Sequence, residues 1–325
     1  MSIYNIFDIS SPREFNLRAL DTFRYQYGNN PIYRQFCDYL RKTDSNVESL
    51  EDIPFLPISF FKTKDILTKN AIAEAIFTSS GTTGSQTSRH MVSNLGLYER
   101  SFRNAFQHFY GNIAEYCVLA LLPSYLEREG SSLVYMVEDL IQKSGHEASG
   151  FYLNDLKGLH NKLVQLNTQG QKTLLIGVSF ALLDMAEKYP VQLEHAIVME
   201  TGGMKGRRKE LIREELHRIL KIGFGVENIH SEYGMTELLS QAYSKGNGIF
   251  ETPPWMKVVI RDTEDPLASQ GLNKTGGLNI IDLANRDSCS FIATQDLGKA
   301  YKDGTFEILG RFDNSDIRGC NLMLL

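Results

Sequence analysis

The sequence has no long hydrophobic run. Its most apolar stretch, Tyr116 to Leu122, falls far short of the ~20 residues that a membrane-spanning helix needs. The N-terminus, MSIYNIFDISSPREF, lacks a basic region followed by an apolar core, so no secretory signal is expected. Cysteine is scarce: the four, Cys37, Cys117, Cys289 and Cys320, form no Cys-x-x-Cys pair. That argues against a zinc ribbon or a thioredoxin motif and points to reduced thiols in a cytoplasmic protein. None of the seven histidines falls in an HExxH motif, which argues against a zinc hydrolase. There is no excess of positive charge either. Lys and Arg total 34 against 39 Asp and Glu, a net −5, whereas a nucleic-acid binder clusters cations to neutralise phosphates. The densest basic stretch, Lys205, Arg207, Arg208 and Lys209, runs straight into Glu210, Glu214 and Glu215 and reads as the solvated start of a helix. Internal repeats and low-complexity tracts are also missing.

What remains is an ordinary globular composition, 42% hydrophobic and 22% charged over 325 residues, enough for one large domain or two smaller ones. Residues 12–42 read as helical, with Phe15, Leu17, Leu20, Phe23 and Tyr27 near one face. Residues 53–58 are punctuated by Pro54 and Pro57 and therefore extended. Ala75 to Thr78 is a short apolar run entering a Ser/Thr/Gly loop, and Leu97 to Phe109 has helical spacing. Cys117 to Leu122, Thr173 to Val178 and Ala196 to Met199 read as buried strands. Arg208 to Lys221 reads as an amphipathic helix burying Leu211, Ile212, Leu216, Ile219 and Leu220. Such alternation predicts an α/β fold with largely parallel sheet. Beyond about Gly246 the texture changes to short strand-like runs at 257–260, 277–281 and 305–308. The expected division is an α/β part, residues 1–245, and a β-rich part, residues 246–325.

Some segments combine residue types that carry chemistry. Thr78 to Ser85, TSSGTTGS, follows a strand. Gly81 and Gly84 let a ligand approach the backbone, and the hydroxyls and amides suit phosphate oxygens. No Gly-Lys-Ser/Thr closes it, so it is not a Walker A loop, and taken alone it is equally a linker. Ser231 to Glu237, SEYGMTE, places an aromatic, a glycine, a hydroxyl and a carboxylate together. Tyr233 suits stacking on a purine, Thr236 a phosphate and Glu237 a hard cation. The same residues also fit a turn into a helix over 236–243 with Thr236 as N-cap. Thr294 to Gly298, TQDLG, and Gly310 to Gly319, GRFDNSDIRG, each read alone as turns.

The order of these segments resembles the successive core motifs of the adenylate-forming enzymes, from about Phe77 to Gly319. The resemblance implies a stack of two α/β subdomains with a β-barrel-like subdomain, and activation of a carboxylic acid by ATP and Mg²⁺ to an acyl-adenylate. It implies that Ser79, Ser80, Gly81, Thr82, Thr83, Gly84 and Ser85 handle the β- and γ-phosphates. Tyr233 and Gly234, with Gly202 and Gly203, would border the adenine. Thr236 would contact the α-phosphate, Glu237 the Mg²⁺, and Asp296 and Arg311 the ribose hydroxyls. The usual Pro-Lys-Gly is replaced by Gln86, Thr87 and Ser88, leaving Arg89 as the nearest cation.

Only twelve residues follow Asp313. The mobile C-terminal domain of the larger enzymes is therefore expected to be absent, with little acyl-CoA made by the isolated chain. IPFLPISFFK, LLPSYLEREGSSLVYM and SDIRGCNL are similar to the LuxE-like acyl-protein synthetase family. That family ends near the same motif and passes the acyl group, there a fatty one, to a cysteine close to the C-terminus. Cys320 is the cysteine so placed. The implied acyl acceptors beyond it are an acyl-CoA reductase-like protein, an acyl carrier protein or coenzyme A.

Overall fold

The computed structural model describes residues 5–79, 87–123, 130–202 and 211–312. Helix α1 (Pro12–Asn29) starts where Ser11 accepts the Glu14 N–H and Pro12 takes a position whose N–H has no intrahelical partner. The helical region expected over 12–42 is two helices. Pro31 cannot donate to α1, and Asn30 instead accepts from the N–H groups of Ile32 and Tyr33 to cap α2 (Pro31–Tyr39). The Pro-punctuated segment holds β1 (Leu56–Pro57), followed by the short α3 (Phe60–Thr63). Strands β2 (Ala75–Thr78) and β3 (Arg89–Val92) form an antiparallel hairpin, pairing Thr78 with Arg89.

The chain then alternates as expected: α4 (Leu95–Tyr110), β4 (Cys117–Leu121), α5 (Ser132–Ser144), β5 (Gly150–Phe151), α6 (Leu156–Thr168), β6 (Thr173–Val178), α7 (Ser179–Lys188), β7 (Ala196–Thr201), α8 (Arg213–Phe224) and β8 (His230–Tyr233). Every residue of β4 and β6 is buried, the mark of strands covered on both faces. Each buried Leu or Ile there contributes about 1.5–3 kcal/mol. Strands β5, β4, β6, β7 and β8 lie side by side, all parallel.

After β8 the sheet turns antiparallel through β9 (Ala242–Ser244) and β10 (Ile249–Glu251), then β11 (Met256–Arg261), β12 (Gly276–Asp282), β13 (Phe291–Ala300) and β14 (Phe306–Arg311). The order β11-β12-β13-β14-β10-β9-β8-β7-β6-β4-β5, with β1 beside β13, makes one 12-stranded mixed sheet. Strand β8 is where parallel meets antiparallel, and its carboxyl end leads into the turn that carries Thr236 and Glu237.

Three local readings are corrected. Thr294 to Gly298 is not a turn but lies inside β13, and Gly310 and Arg311 end β14, because their backbones pair across the two strands. Residues 236–243 are a turn running into β9 and not a helix. The backbone N–H groups of Leu239 and Ser240 donate to Asp282 Oδ2, at 2.8 and 3.0 Å, and so do not enter a helical ladder. Ile212 is not on the buried face of α8; it precedes the helix and is 69% exposed.

Candidate active site

Tyr233, the last residue of β8, packs edge-on against Phe250 and Phe306, each with its ring 6.0 Å away. Its hydroxyl donates to Asp296 Oδ2 at 2.7 Å. Asp296 lies opposite Arg311 across β13 and β14, and Arg311 Nε stands 3.2 Å from Asp296 Oδ1. Three motifs far apart in sequence thus converge on one carboxylate. Burial pushes the Asp296 carboxyl up, while the Tyr233 bond and the charges of Arg311 and Arg261 oppose that. The Arg311 side chain is 69% exposed. Arg261 is buried, with Nη1 donating to Leu278 O at 2.8 Å and to Asn279 Oδ1 at 2.9 Å. Gly277 makes room for it: a Cβ there would lie 2.4 Å from Arg261 Cζ.

Beyond Tyr233 the chain turns tightly, with Leu238 N–H donating to Met235 O at 3.1 Å. Glu237 on this turn is buried. Burial raises its carboxyl pKa against a hydrogen bond from Ser88 and the charges of Arg311 and Lys62. Thr236 is partly exposed. The turn's carbonyls are gripped from two sides. His90 Nδ1 lies 2.8 Å from Thr236 O, and Asn285 Nδ2 donates to Glu237 O at 2.7 Å. His90 Nε2 stands 2.9 Å from Asn285 Oδ1. Burial pulls the His90 pKa down to about 4, so near neutral pH the ring carries one proton to share between two facing acceptors, Thr236 O and Asn285 Oδ1.

Ser79 closes the neck of the β2–β3 hairpin. Its N–H donates to Ser88 O at 3.1 Å, and its Oγ accepts from Ser88 N–H at 2.8 Å. Ser80, Gly81, Thr82, Thr83, Gly84 and Ser85 lie outside the described residues, as do Gly203 and Cys320. Gly202 has φ +65°, the left-handed region that favours glycine, and its carbonyl accepts from Ser179 Oγ at 2.9 Å. Arg89 is exposed and paired with Asp65 at 3.0 Å. Of the sequence candidates, Tyr233, Asp296 and Arg311 are in direct contact, and Glu237 lies within electrostatic reach of Arg311.

The structure adds His90, Arg261, Asp282 and Asn285, which the motifs do not flag. The available sign was a polar side chain beside apolar strand residues, as in Arg89-His90-Met91-Val92 and Val258-Val259-Ile260-Arg261.

Below the site, Glu200 and Glu232 sit buried on neighbouring strands. Burial disfavours charge on Glu200, but His217, Ser231 and Arg213 outweigh it and hold its pKa below the ordinary value. Ser231 Oγ donates to Glu200 Oε1 at 2.7 Å. Burial and the charge of Glu200 push Glu232 up to about 7, against donation from Thr201. A raised carboxyl pKa means that the folded state holds the proton more tightly than the unfolded chain. The stabilisation is full below the unfolded value of 4.5 and is lost as pH rises through about 7. Glu232→Gln, which keeps an acceptor for Thr201, is therefore expected to gain about 1–3 kcal/mol over the parent at pH 8 relative to pH 5. Urea unfolding at the two pH values checks this; parallel pH dependence in parent and variant would place the proton elsewhere.

Comparison with known proteins fits this geometry. The family model "Acyl-protein synthetase, LuxE" matches residues 8–129. A Vibrio harveyi protein named long-chain-fatty-acid–luciferin-component ligase is 24% identical over 93% of this chain and 85% of its own. The chain is similar to the LuxE acyl-protein synthetases over residues 8–129. In fold it is similar to 2-hydroxyisobutyryl-CoA ligase, solved with 2-HIB-AMP and CoA, at a TM-score of 0.65 and 13% identity over 93% of this chain and 70% of that one. It is also similar to ATP-bound MatB from Rhodopseudomonas palustris, at a TM-score of 0.56 and 17% identity over 75% of this chain. That match spans half, 50%, of the MatB chain. The α/β fold with one large mixed sheet is thus the fold expected from the adenylate-forming motifs. No described helix is long and apolar enough to cross a membrane.

Proposed function

We propose that this chain activates a long-chain fatty acid with ATP to an acyl-adenylate and passes the acyl group to a thiol. The observation that carries this reading is the meeting of Tyr233, Asp296 and Arg311 at one buried carboxylate, beside the turn that presents Thr236 and Glu237. The long-chain acid is taken from the name of the Vibrio harveyi relative.

Asp296 and Arg311 hold the ribose hydroxyls, Tyr233 and the Gly202–Gly203 corner border the adenine, and Thr236 holds an α-phosphate oxygen. The 79–85 loop takes the β- and γ-phosphates. Among the described residues no three His, Cys, Asp or Glu side chains group as a metal cage. A single buried carboxylate, Glu237, suits a Mg²⁺ that arrives with phosphates and keeps most of its waters. When bound, that ion supplies neutralisation of phosphate charge. A substrate carboxylate oxygen attacks the α-phosphorus, the α–β phosphoanhydride breaks, and pyrophosphate leaves. Catalysis here is chiefly alignment and charge stabilisation. A thiolate sulfur then attacks the acyl carbon, and the C–O bond to AMP breaks.

Pyrophosphate exchange into ATP, measured with acids of graded chain length, tests the reading. Long-chain acids should stimulate exchange above short ones. Exchange with none of them would sink it.

The described cysteines narrow the choice of thiol. Cys37, Cys117 and Cys289 are all buried. Burial pushes the Cys37 thiol up to about 12 and raises the other two. Such thiols supply almost no thiolate near neutral pH. Cys320, outside the described residues, is therefore the proposed acceptor within the chain, and its neighbour Arg318 favours the thiolate. Labelled acid with ATP should leave a denaturation-stable, hydroxylamine-released label that Cys320→Ser abolishes and Ser at Cys37, Cys117 or Cys289 does not. Full labelling of Cys320→Ser would move the acceptor to another molecule: a reductase-like partner, an acyl carrier protein or coenzyme A.

A further inference from the structure

The one histidine that grips the candidate site does so through backbone alone. His90 is 0% exposed and lies on β3, 146 residues before the carbonyl that its Nδ1 meets at 2.8 Å. Its other nitrogen faces Asn285, whose amide nitrogen donates to the next carbonyl, that of Glu237, at 2.7 Å. Consecutive peptide groups of the turn are thus fixed by a pair of side chains that also touch each other.

Both anchors are themselves immobilised. Phe61 packs edge-on against the His90 ring with centroids 5.6 Å apart. The segment that carries Asn285 is tied to α1 by Gln26, whose Nε2 donates to Asn285 O at 3.1 Å and to Arg286 O at 2.8 Å. Gln26 Oε1 accepts from Ser290 N–H at 3.1 Å. Such density of buried polar contacts around a turn with no helix or strand of its own is costly unless each group is satisfied.

We propose that His90, together with Asn285, is a positioning residue for the turn that carries Thr236 and Glu237. Holding the Thr236 and Glu237 carbonyls fixes the peptide planes from which the hydroxyl and the carboxylate project. His90 touches neither substrate nor metal in this scheme, and it acts through the backbone of the residues that do. The inference rests on the adenylation reading for its kinetic consequence and on geometry alone for its structural one.

The test uses the full chain and the variants His90→Leu, His90→Asn and Asn285→Ala. His90→Leu removes both nitrogens at similar volume, whereas His90→Asn restores a donor near the Nδ1 position. Misplacing reacting groups by about an ångström costs ~10²-fold in rate. In pyrophosphate exchange with the best acid, His90→Leu should therefore lower kcat by about 30- to 100-fold, with KM for ATP changed less than about threefold. His90→Asn should recover most of that loss, and Asn285→Ala should show the same kcat-only pattern at about tenfold. Hydrogen–deuterium exchange should accelerate in a peptide covering residues 234–241 and stay unchanged in β6 and β7.

A folded His90→Leu with kcat within threefold of the parent overturns the proposal and leaves the adenylation reading standing. So does an equal rise in KM without loss of kcat. If the parent chain exchanges pyrophosphate with no acid, the adenylation reading falls. The anchoring is then decided by hydrogen exchange: local acceleration sustains it, and unchanged protection of 234–241 ends it. If His90→Leu does not fold, Asn285→Ala decides by the same two measurements.

Discussion

Glu237→Gln is expected to lower pyrophosphate exchange by about 10²- to 10³-fold while the melting temperature holds or rises. The rate loss follows from weakening the hold on the Mg²⁺ that would neutralise phosphate charge, and a lost electrostatic group at such a site is worth about 3–4 kcal/mol. The stability expectation has the opposite sign because burial already penalises the Glu237 carboxylate, and a neutral amide of nearly equal volume relieves that penalty. Ser88, Arg311 and Lys62 offset part of it, so the gain is small. A circular-dichroism melt beside the exchange assay separates the effects. Loss of both fold and activity would make Glu237 a structural residue, and full activity would remove it from the metal's ligands.

Asp296→Asn is expected to raise KM for ATP by about 30- to 100-fold and to change kcat much less. Hydrogen bonds to charged groups are worth about 1.5–3 kcal/mol, and the ribose is remote from the bond that breaks, so the loss is of uniform binding. The amide cannot reproduce the present partners together. Asp296 accepts from the Tyr233 hydroxyl at 2.7 Å on Oδ2 and faces Arg311 on Oδ1. An amide NH₂ on either side meets a donor. Titration with ATP by calorimetry should show the same weakening without any acid present. An unchanged dissociation constant would place the ribose elsewhere, and a collapse of kcat at unchanged KM would assign Asp296 to the chemistry.

Much of this was legible because it depends on short-range pattern. The runs Cys117–Leu121, Thr173–Val178 and Ala196–Thr201 are apolar enough to have few alternatives to buried parallel strands. The strand-like runs at 257–260, 277–281 and 305–308 fall on β11, β12 and β14. Tyr233, Glu237, Asp296 and Arg311 stood out because their motifs recur in order, and the fold brings the first, third and fourth into contact. The division of the first helical region at Asn30 was not read from the sequence, although Pro31 with an Asn before it carries the signal.

The residues from Thr236 onward show where sequence stopped deciding. Thr236 is a reasonable N-cap, and Leu238, Leu239 and Ala242 have helical spacing. Asp282 lies more than forty residues away in sequence, yet its Oδ2 takes the N–H groups of Leu239 and Ser240. His90 and Asn285 take the preceding turn from opposite ends of the chain. Local propensity is worth tenths of a kcal/mol per residue, whereas a buried carboxylate accepting backbone N–H bonds contributes on the order of 1.5–3 kcal/mol for each. The amino-acid sequence by itself determined the buried strands β4, β6 and β7 and the helices α1, α4 and α8, because those follow from periodicity and residue chemistry. Only the tertiary structure decided the path of the turn that presents Thr236 and Glu237. Its hydrogen-bond partners are supplied by residues that no local pattern connects to it.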